Sequence, residues 1–126
     1  MLEESKIWKE YIKITSDIER EQEFLKITQN RSFQSIVEFL NVVLFDDPNP
    51  LLRIKAAEII LSNQGENFVS ILAEIAQTDS MLEGYIGLIS LLKPYIEKHN
   101  LPYNGVKTNP WVFDELRKIY IRDNYS

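Results

Sequence analysis

Apolar residues recur at three- and four-residue steps along almost the whole chain. In the first thirty residues these positions are Ile7, Tyr11, Ile14 and Ile18, followed seven residues later by Leu25. Such spacing places the apolar side chains on one face of a helix, whereas no segment alternates with the two-residue period of a strand. The sequence therefore predicts an all-α protein.

Capping patterns suggest where the helices begin. Ser16 and Glu19 have the spacing of a capping box, and so do Ser80 and Glu83. A break near Ser16 would divide the first thirty residues into two helices, but the apolar pattern is equally compatible with one long helix. We expect the later capping box to begin a helix over residues 80–98.

Prolines separate the middle helices. The segment 46–50, Asp-Asp-Pro-Asn-Pro, should end a helix that begins at Phe33, because proline disfavours helical backbone in the residue before it. Asn49 then serves as the N-cap of the next helix, with Pro50 in the first helical position. Asn109 and Pro110 repeat this start. The other helices are expected over residues 50–62, 66–77 and 110–122, and residues 99–109 should form an irregular segment.

An internal repeat covers the middle of the chain. Superposing residues 33–62 on residues 67–98 gives helix, acidic turn and helix twice, and matches Asp47 to Asp79 at a spacing of 32 residues. This period is typical of stacked helical hairpins, none of which can bury its apolar faces alone. With only 126 residues, the chain is expected to form a single domain over residues 1–126.

The turn and second helix of the first repeat resemble those of a HEAT repeat. Residues 47–57 read D-x-x-P-x-L-R-x-x-A-A. In that family the Asp and Arg order the turn, the Pro starts the helix, and the alanines allow close packing. The resemblance gives these roles to Asp47, Pro50, Arg53, Ala56 and Ala57. It implies a short right-handed stack of about three antiparallel helical hairpins, a HEAT-like α-superhelix used for protein binding.

The second repeat lacks several of these signature residues. Leu82 stands at the proline position, Tyr85 at the arginine position, and Leu88 and Ile89 at the alanine positions.

Residue types that carry most enzyme chemistry are scarce. The chain has no cysteine and a single histidine, His99, so thiolate nucleophiles, disulfides and cysteine-ligated metals are excluded. No glycine-rich phosphate-binding motif is present. Glu19 and Glu23 lie four residues apart but lack the Glu-x-x-His partners of a di-iron bundle, and we interpret them as solvated helix surface. We expect no enzymatic activity, no cofactor and no metal.

Negative charge is concentrated in the repeat region. The net charge is −5, and residues 38–91 alone carry eight acidic and two basic side chains. An acidic surface attracts a basic partner and speeds its association, although such charge also serves solubility. The predicted partner-binding residues are Asp46, Asp47, Glu58, Glu66, Asp79, Glu83 and Tyr103.

These features favour a non-enzymatic module that binds one protein partner, most concretely a basic toxin or nuclease. In size and acidity the chain is similar to the immunity proteins of bacterial toxin systems. The alternative is a structural or regulatory subunit of an oligomer or larger complex, because the helices over 33–45 and 50–62 are apolar on most sides. The acidic balance disfavours nucleic acid. The N-terminus shows no export or membrane segment, so we expect a cytoplasmic location.

Overall fold

A computed structural model describes the backbone of residues 2–121 and the side chains of residues 6–121. The helices are α1 (Leu2–Ile12), α2 (Asp17–Gln29), α3 (Phe33–Asp46), α4 (Pro50–Gln64), α5 (Val69–Thr78), α6 (Leu82–Lys98) and α7 (Pro110–Tyr120). Gly65–Phe68 and Gly105–Lys107 form 3₁₀ turns. No strand occurs between residues 2 and 121, which confirms the all-α prediction for this range. Arg122, the expected end of the last helix, lies outside the described residues.

The helix starts agree with three of the four predicted caps. Ser16 accepts a hydrogen bond from the backbone N–H of Glu19 at 3.3 Å, so the N-terminal region forms two helices. Asn49 and Asn109 each accept a hydrogen bond from the backbone N–H two residues later, at 3.0 and 3.1 Å. Each of these bonds satisfies an N–H group that has no partner inside the helix.

The predicted capping box at Ser80 is wrong. α6 begins at Leu82, and its N-cap residue Met81 makes no side-chain cap. Instead, the Asp79 carboxylate accepts a hydrogen bond from the backbone N–H of Met81 at 2.9 Å. An aspartate bonds readily to a backbone N–H two residues later, so the turn is stabilised one residue before the predicted cap.

The chain divides into two compact units, Met1–Ala56 and Ala57–Ser126. In the first, α2 runs antiparallel to α3, since Phe24 packs on Phe39 at the middle of both helices while Arg20, near the start of α2, reaches Asp47 at the end of α3. Tyr11 of α1 meets the Phe39 ring edge-on with 5.1 Å between ring centroids. All three rings are buried, so aromatic side chains form much of this core.

In the second unit α5 lies between α6 and α7. α5 and α7 are antiparallel, because Gln77 reaches Asp114 at 3.4 Å while the opposite ends of the helices meet near Ile121. α6 and α7 are parallel, since His99 and Tyr120, at their C-terminal ends, are in contact. Residues 99–109 must therefore return along α6.

The starts of equivalent helices and turns in the two repeats are also 32 residues apart. α3 begins at Phe33 and the 3₁₀ turn before α5 begins at Gly65, while α4 begins at Pro50 and α6 at Leu82. Buried side chains recur at the same offset. The pairs are Ile36 and Phe68, Leu40 and Leu72, Leu44 and Ala76, Ala56 and Leu88, Ala57 and Ile89, and Ile60 and Leu92. The two segments thus have the same local pattern despite their different signature residues.

No helix within residues 2–121 combines the length and apolar character needed to cross a bilayer.

Candidate functional site

A buried polar network occupies the interior of the first unit. The Asp47 carboxylate accepts hydrogen bonds from the Tyr11 hydroxyl at 2.5 Å and from the Arg20 guanidinium at 3.2 Å. It also accepts one from the backbone N–H of Asn49 at 2.8 Å. Asp47 is 1% exposed and Arg20 is 5% exposed, so the opposite charges face each other away from water. Hydrogen bonds to the pair offset the cost of its burial, although among the described residues Arg20 Nε is buried without a hydrogen-bond partner.

The network also fixes protonation states. Burial, followed by the hydrogen bond and charge of Asp47, raises the pKa of the Tyr11 hydroxyl above its usual range. Burial alone would lower the pKa of Arg20, but the charge and hydrogen bond of Asp47 raise it. Tyr11 therefore remains a neutral donor and Arg20 a cation, which suits a structural role in this interior.

The turn around Asp47 joins this network to α4. Arg53 donates a hydrogen bond to the backbone carbonyl of Asp47 at 2.8 Å. The Asp47 side chain and main chain are thus both held, which keeps the turn between α3 and α4 in one conformation.

The predicted partner-binding residues fall into different environments. Asp46 and Glu58 are exposed, whereas the carboxylate of Asp47 is turned inward and absent from the surface. Sequence spacing did not distinguish Asp46 from Asp47 because both lie in the same polar turn. The buried carboxylate of Asp47 is therefore not available to a partner at the surface.

The remaining predicted residues lie in the second unit. Glu66 pairs with Lys98 at 2.5 Å, and Tyr103 is half-buried with the Lys93 ammonium 5.6 Å from its ring centroid. Asp79 and Glu83 lie beside the start of α6, where Asp79 is half-buried and Glu83 is exposed.

Exposed apolar side chains surround Glu83. Leu82 is 64% exposed, Met81 43% and Ile86 42%. Leu82 and Ile86 are four residues apart and so lie on one face of the helix, one turn from each other. We call Met81, Leu82, Glu83 and Ile86 the α6 surface. Large apolar side chains grouped on a surface are typical of a contact site for another macromolecule.

A shallow depression on the second unit includes one residue of α6. It has a volume of about 190 Å³ and is lined by Gln77, Tyr85, Pro110 and Phe113. The aromatic ring of Tyr85 comes from the same helix as Leu82 and Ile86. A depression with an aromatic wall next to exposed apolar side chains can receive an anchoring side chain from a partner.

A second polar cluster joins the ends of α6 and α7. His99 Nε2 and the Tyr120 hydroxyl share a hydrogen bond at 2.8 Å, and Tyr95 meets the Tyr120 ring edge-on. Burial and the nearby Glu66 carboxylate raise the pKa of Tyr120. The hydrogen bond with Glu66 raises the pKa of Lys98. These contacts give His99 a structural partner at the C-terminal end of its helix.

Among residues 6–121, no three acidic or histidine side chains gather in a way that could hold a metal ion. Comparison with protein-family models, curated proteins and solved structures finds no match to this chain.

The apolar members of the α6 surface are the residues that sequence reasoning missed. From the sequence, Leu82 was identified only as the residue at the proline position of the second repeat, and Ile86 was not singled out. Helical spacing gave no signal for their exposure, since Leu82 lies seven residues before the buried Ile89 and Ile86 lies three residues before it.

Proposed function

We propose that the chain is a non-enzymatic protein-binding module that docks one basic protein partner through the α6 surface. The observation that carries this proposal is the exposure of Leu82 and Ile86 on one helix face with Glu83 beside them. The apolar pair provides area to bury, and the carboxylate favours a partner whose apolar side chains are flanked by Lys or Arg.

The proposed architecture is a short HEAT-like stack of helical hairpins. The matching 32-residue boundaries support it, as do the Asp47 and Asp79 carboxylates, which each bond to the backbone N–H two residues later. The hydrogen bond from Arg53 to the Asp47 carbonyl fits the turn-ordering role that the resemblance implies. The parallel packing of α7 on α6 departs from a simple series of antiparallel hairpins.

The most concrete form of this function is inhibition of a basic toxin or nuclease. A module of this kind would cover a cleft lined by lysines and arginines, with Asp79 and Glu83 facing those side chains. Occlusion of this type needs no reactive group on the inhibitor. The buried positions of the Asp47 carboxylate and the Arg20 side chain are compatible with such a passive role.

Two variants of the α6 surface test the proposal. The full chain is used as bait in extract from its native cells, a captured basic protein is purified, and its affinity is measured by calorimetry. The double substitution Leu82→Ser/Ile86→Ser should weaken binding at least about tenfold, because each removes apolar area from the contact. Glu83→Lys should slow association, most strongly at low salt.

Ile18→Ser is the matched control, since Ile18 is 73% exposed and lies in the other unit. It should bind the captured protein with wild-type affinity. Wild-type affinity in the Leu82→Ser/Ile86→Ser and Glu83→Lys variants would refute the proposed surface.

A structural or regulatory subunit is the second candidate. The observation that favours it is the exposure of Phe45 (62%) and Leu51 (53%) on either side of the α3–α4 turn in the first unit. If the chain is a subunit, Phe45→Ser/Leu51→Ser should release it from its native complex while the α6 variants remain bound. Co-elution of native complexes on a sizing column makes this comparison.

A further inference from the structure

A groove runs between α5 and α7 on the surface of the second unit. It has a volume of about 460 Å³ and is lined by Ser70, Ile71, Glu74, Arg117 and Ile121. Ile71 is 46% exposed and Ile121 is 48% exposed. The groove thus combines apolar side chains at one end with one acidic and one basic side chain further along.

The antiparallel helices place unlike side chains at matching levels across the groove. Gln77 of α5 reaches Asp114 of α7, so Glu74 lies level with Arg117 one turn further along. Another turn along, Ile71 lies level with Ile121. Each of these pairs therefore has one side chain from α5 and one from the α7 side of the groove.

We propose that a second copy of this chain docks on this groove about a two-fold axis that runs along it. Such an axis places α5 of each copy over α7 of the other. Glu74 of each copy then faces Arg117 of the other, and Ile71 faces Ile121. The face is self-complementary in charge and apolar contact, which is the requirement for a symmetric dimer.

The charges of this face favour a second copy over the basic partner expected at the α6 surface. The chain carries a net charge of −5, so two copies repel each other over most approaches. On the α5–α7 face, Glu74 and Asp114 are balanced by Arg117 and Lys118. Among the side chains of residues 6–121, Glu74 forms no ion pair, and Arg117 is 3.8 Å from Asp114.

The test reverses the charge at position 74 or position 117. Sedimentation velocity over concentrations from about 1 to 500 μM then measures how much of each chain is dimeric. Wild type should dimerise within this range. Glu74→Arg and Arg117→Glu should each raise the dimer dissociation constant at least about tenfold, because each creates two like-charge contacts per dimer. An equimolar mixture of the two variants should form a heterodimer at the concentrations at which the wild-type chain dimerises. Both contacts between positions 74 and 117 then join opposite charges.

Two further variants separate a specific contact from general effects. Glu97→Arg makes the same charge change at an exposed position of α6 and should not weaken the dimer. Ile71→Ser removes apolar area without changing charge and should weaken it. Circular dichroism checks that every variant retains its helices.

Three results would overturn the proposal. They are a wild-type chain that stays monomeric throughout the range, a dimer that neither charge variant weakens, and a mixture of the two charge variants that fails to associate. This inference does not depend on the α6 surface, because none of its variants alters Leu82, Glu83 or Ile86.

Discussion

Removing the negative charge of Asp47 should destabilise the chain strongly while its exposed neighbour is insensitive to the same change. Asp47→Asn retains the shape of the side chain but leaves the buried Arg20 guanidinium without its interior counterion. The closest remaining carboxylate is that of Asp17, 3.1 Å away, whose side chain is 71% exposed. A solvated carboxylate compensates a buried cation only weakly.

The expected loss follows from the burial of both partners. Breaking a buried ion pair by removing one member costs about 3–5 kcal/mol. Arg20 also donates to the backbone carbonyl of Ile14 at 3.1 Å, so part of its hydrogen bonding survives. We therefore expect the lower end of this range, about 3 kcal/mol, in the free energy of unfolding. Asp46→Asn, one residue earlier and exposed, should change it by less than about 0.5 kcal/mol.

Urea unfolding followed by circular dichroism measures this difference through the transition midpoints. A double-mutant cycle with Arg20→Met separates the pair from the individual side chains. The decrease in unfolding free energy of the double variant should be smaller than the sum of the two single decreases by at least about 1.5 kcal/mol. The reason is that neither charge is then buried alone. Additive losses, or a cost below about 1 kcal/mol for Asp47→Asn, would refute the structural role of this pair.

Three further changes test local features by the same unfolding measurement. The raised pKa of Tyr11 means that the folded chain keeps this proton when the unfolded chain has lost it, so stability should fall as the pH rises above about 10. Tyr11→Phe should reduce that alkaline loss, and an unchanged pH profile would contradict the assigned hydrogen bond. Gly84→Ala should destabilise by about 1–2 kcal/mol, since a Cβ there would overlap the Asp79 carboxylate, whereas a stabilised variant would show that this carboxylate moves freely. Asn109→Ala should cost about 1 kcal/mol through loss of the cap at Trp111, and an unchanged midpoint would argue against that cap.

Local sequence signals predicted the helices well. Asn49 and Asn109 precede prolines, and the energetic preference for these residues at helix starts depends only on nearby atoms. A further local feature is Gly65, which follows α4 with a φ of +57°, in the left-handed region that glycine adopts without steric cost. Short-range chemistry of this kind can be read from a single sequence.

Long-range packing could not be predicted in the same way. Asp47 is buried because Tyr11, 36 residues away, and Arg20, 27 residues away, reach its carboxylate. Contacts between residues so far apart cannot be inferred from a local sequence pattern. A polar residue in a turn was therefore expected at the surface. The parallel packing of α7 on α6 has the same origin, because the segment that joins them leaves the direction of the last helix undetermined.

The candidate surface was only partly predictable. Glu83 was recognised from the excess of acidic residues, but charge alone did not indicate which carboxylates lie beside apolar side chains. That distinction needed the exposure of Leu82 and Ile86. A helix that is apolar on several sides does not reveal which side remains uncovered until its neighbours are placed.

The equal spacing of the α3–α4 and α5–α6 boundaries has a consequence for how this chain can change length. A 32-residue insertion or deletion between equivalent positions would keep the sequence positions of the buried residues in phase. A change of one or two residues inside a helix would rotate that face by about 100° per residue. A change of 32 residues therefore preserves the periodicity of buried positions in these two segments, and a change of one or two residues does not.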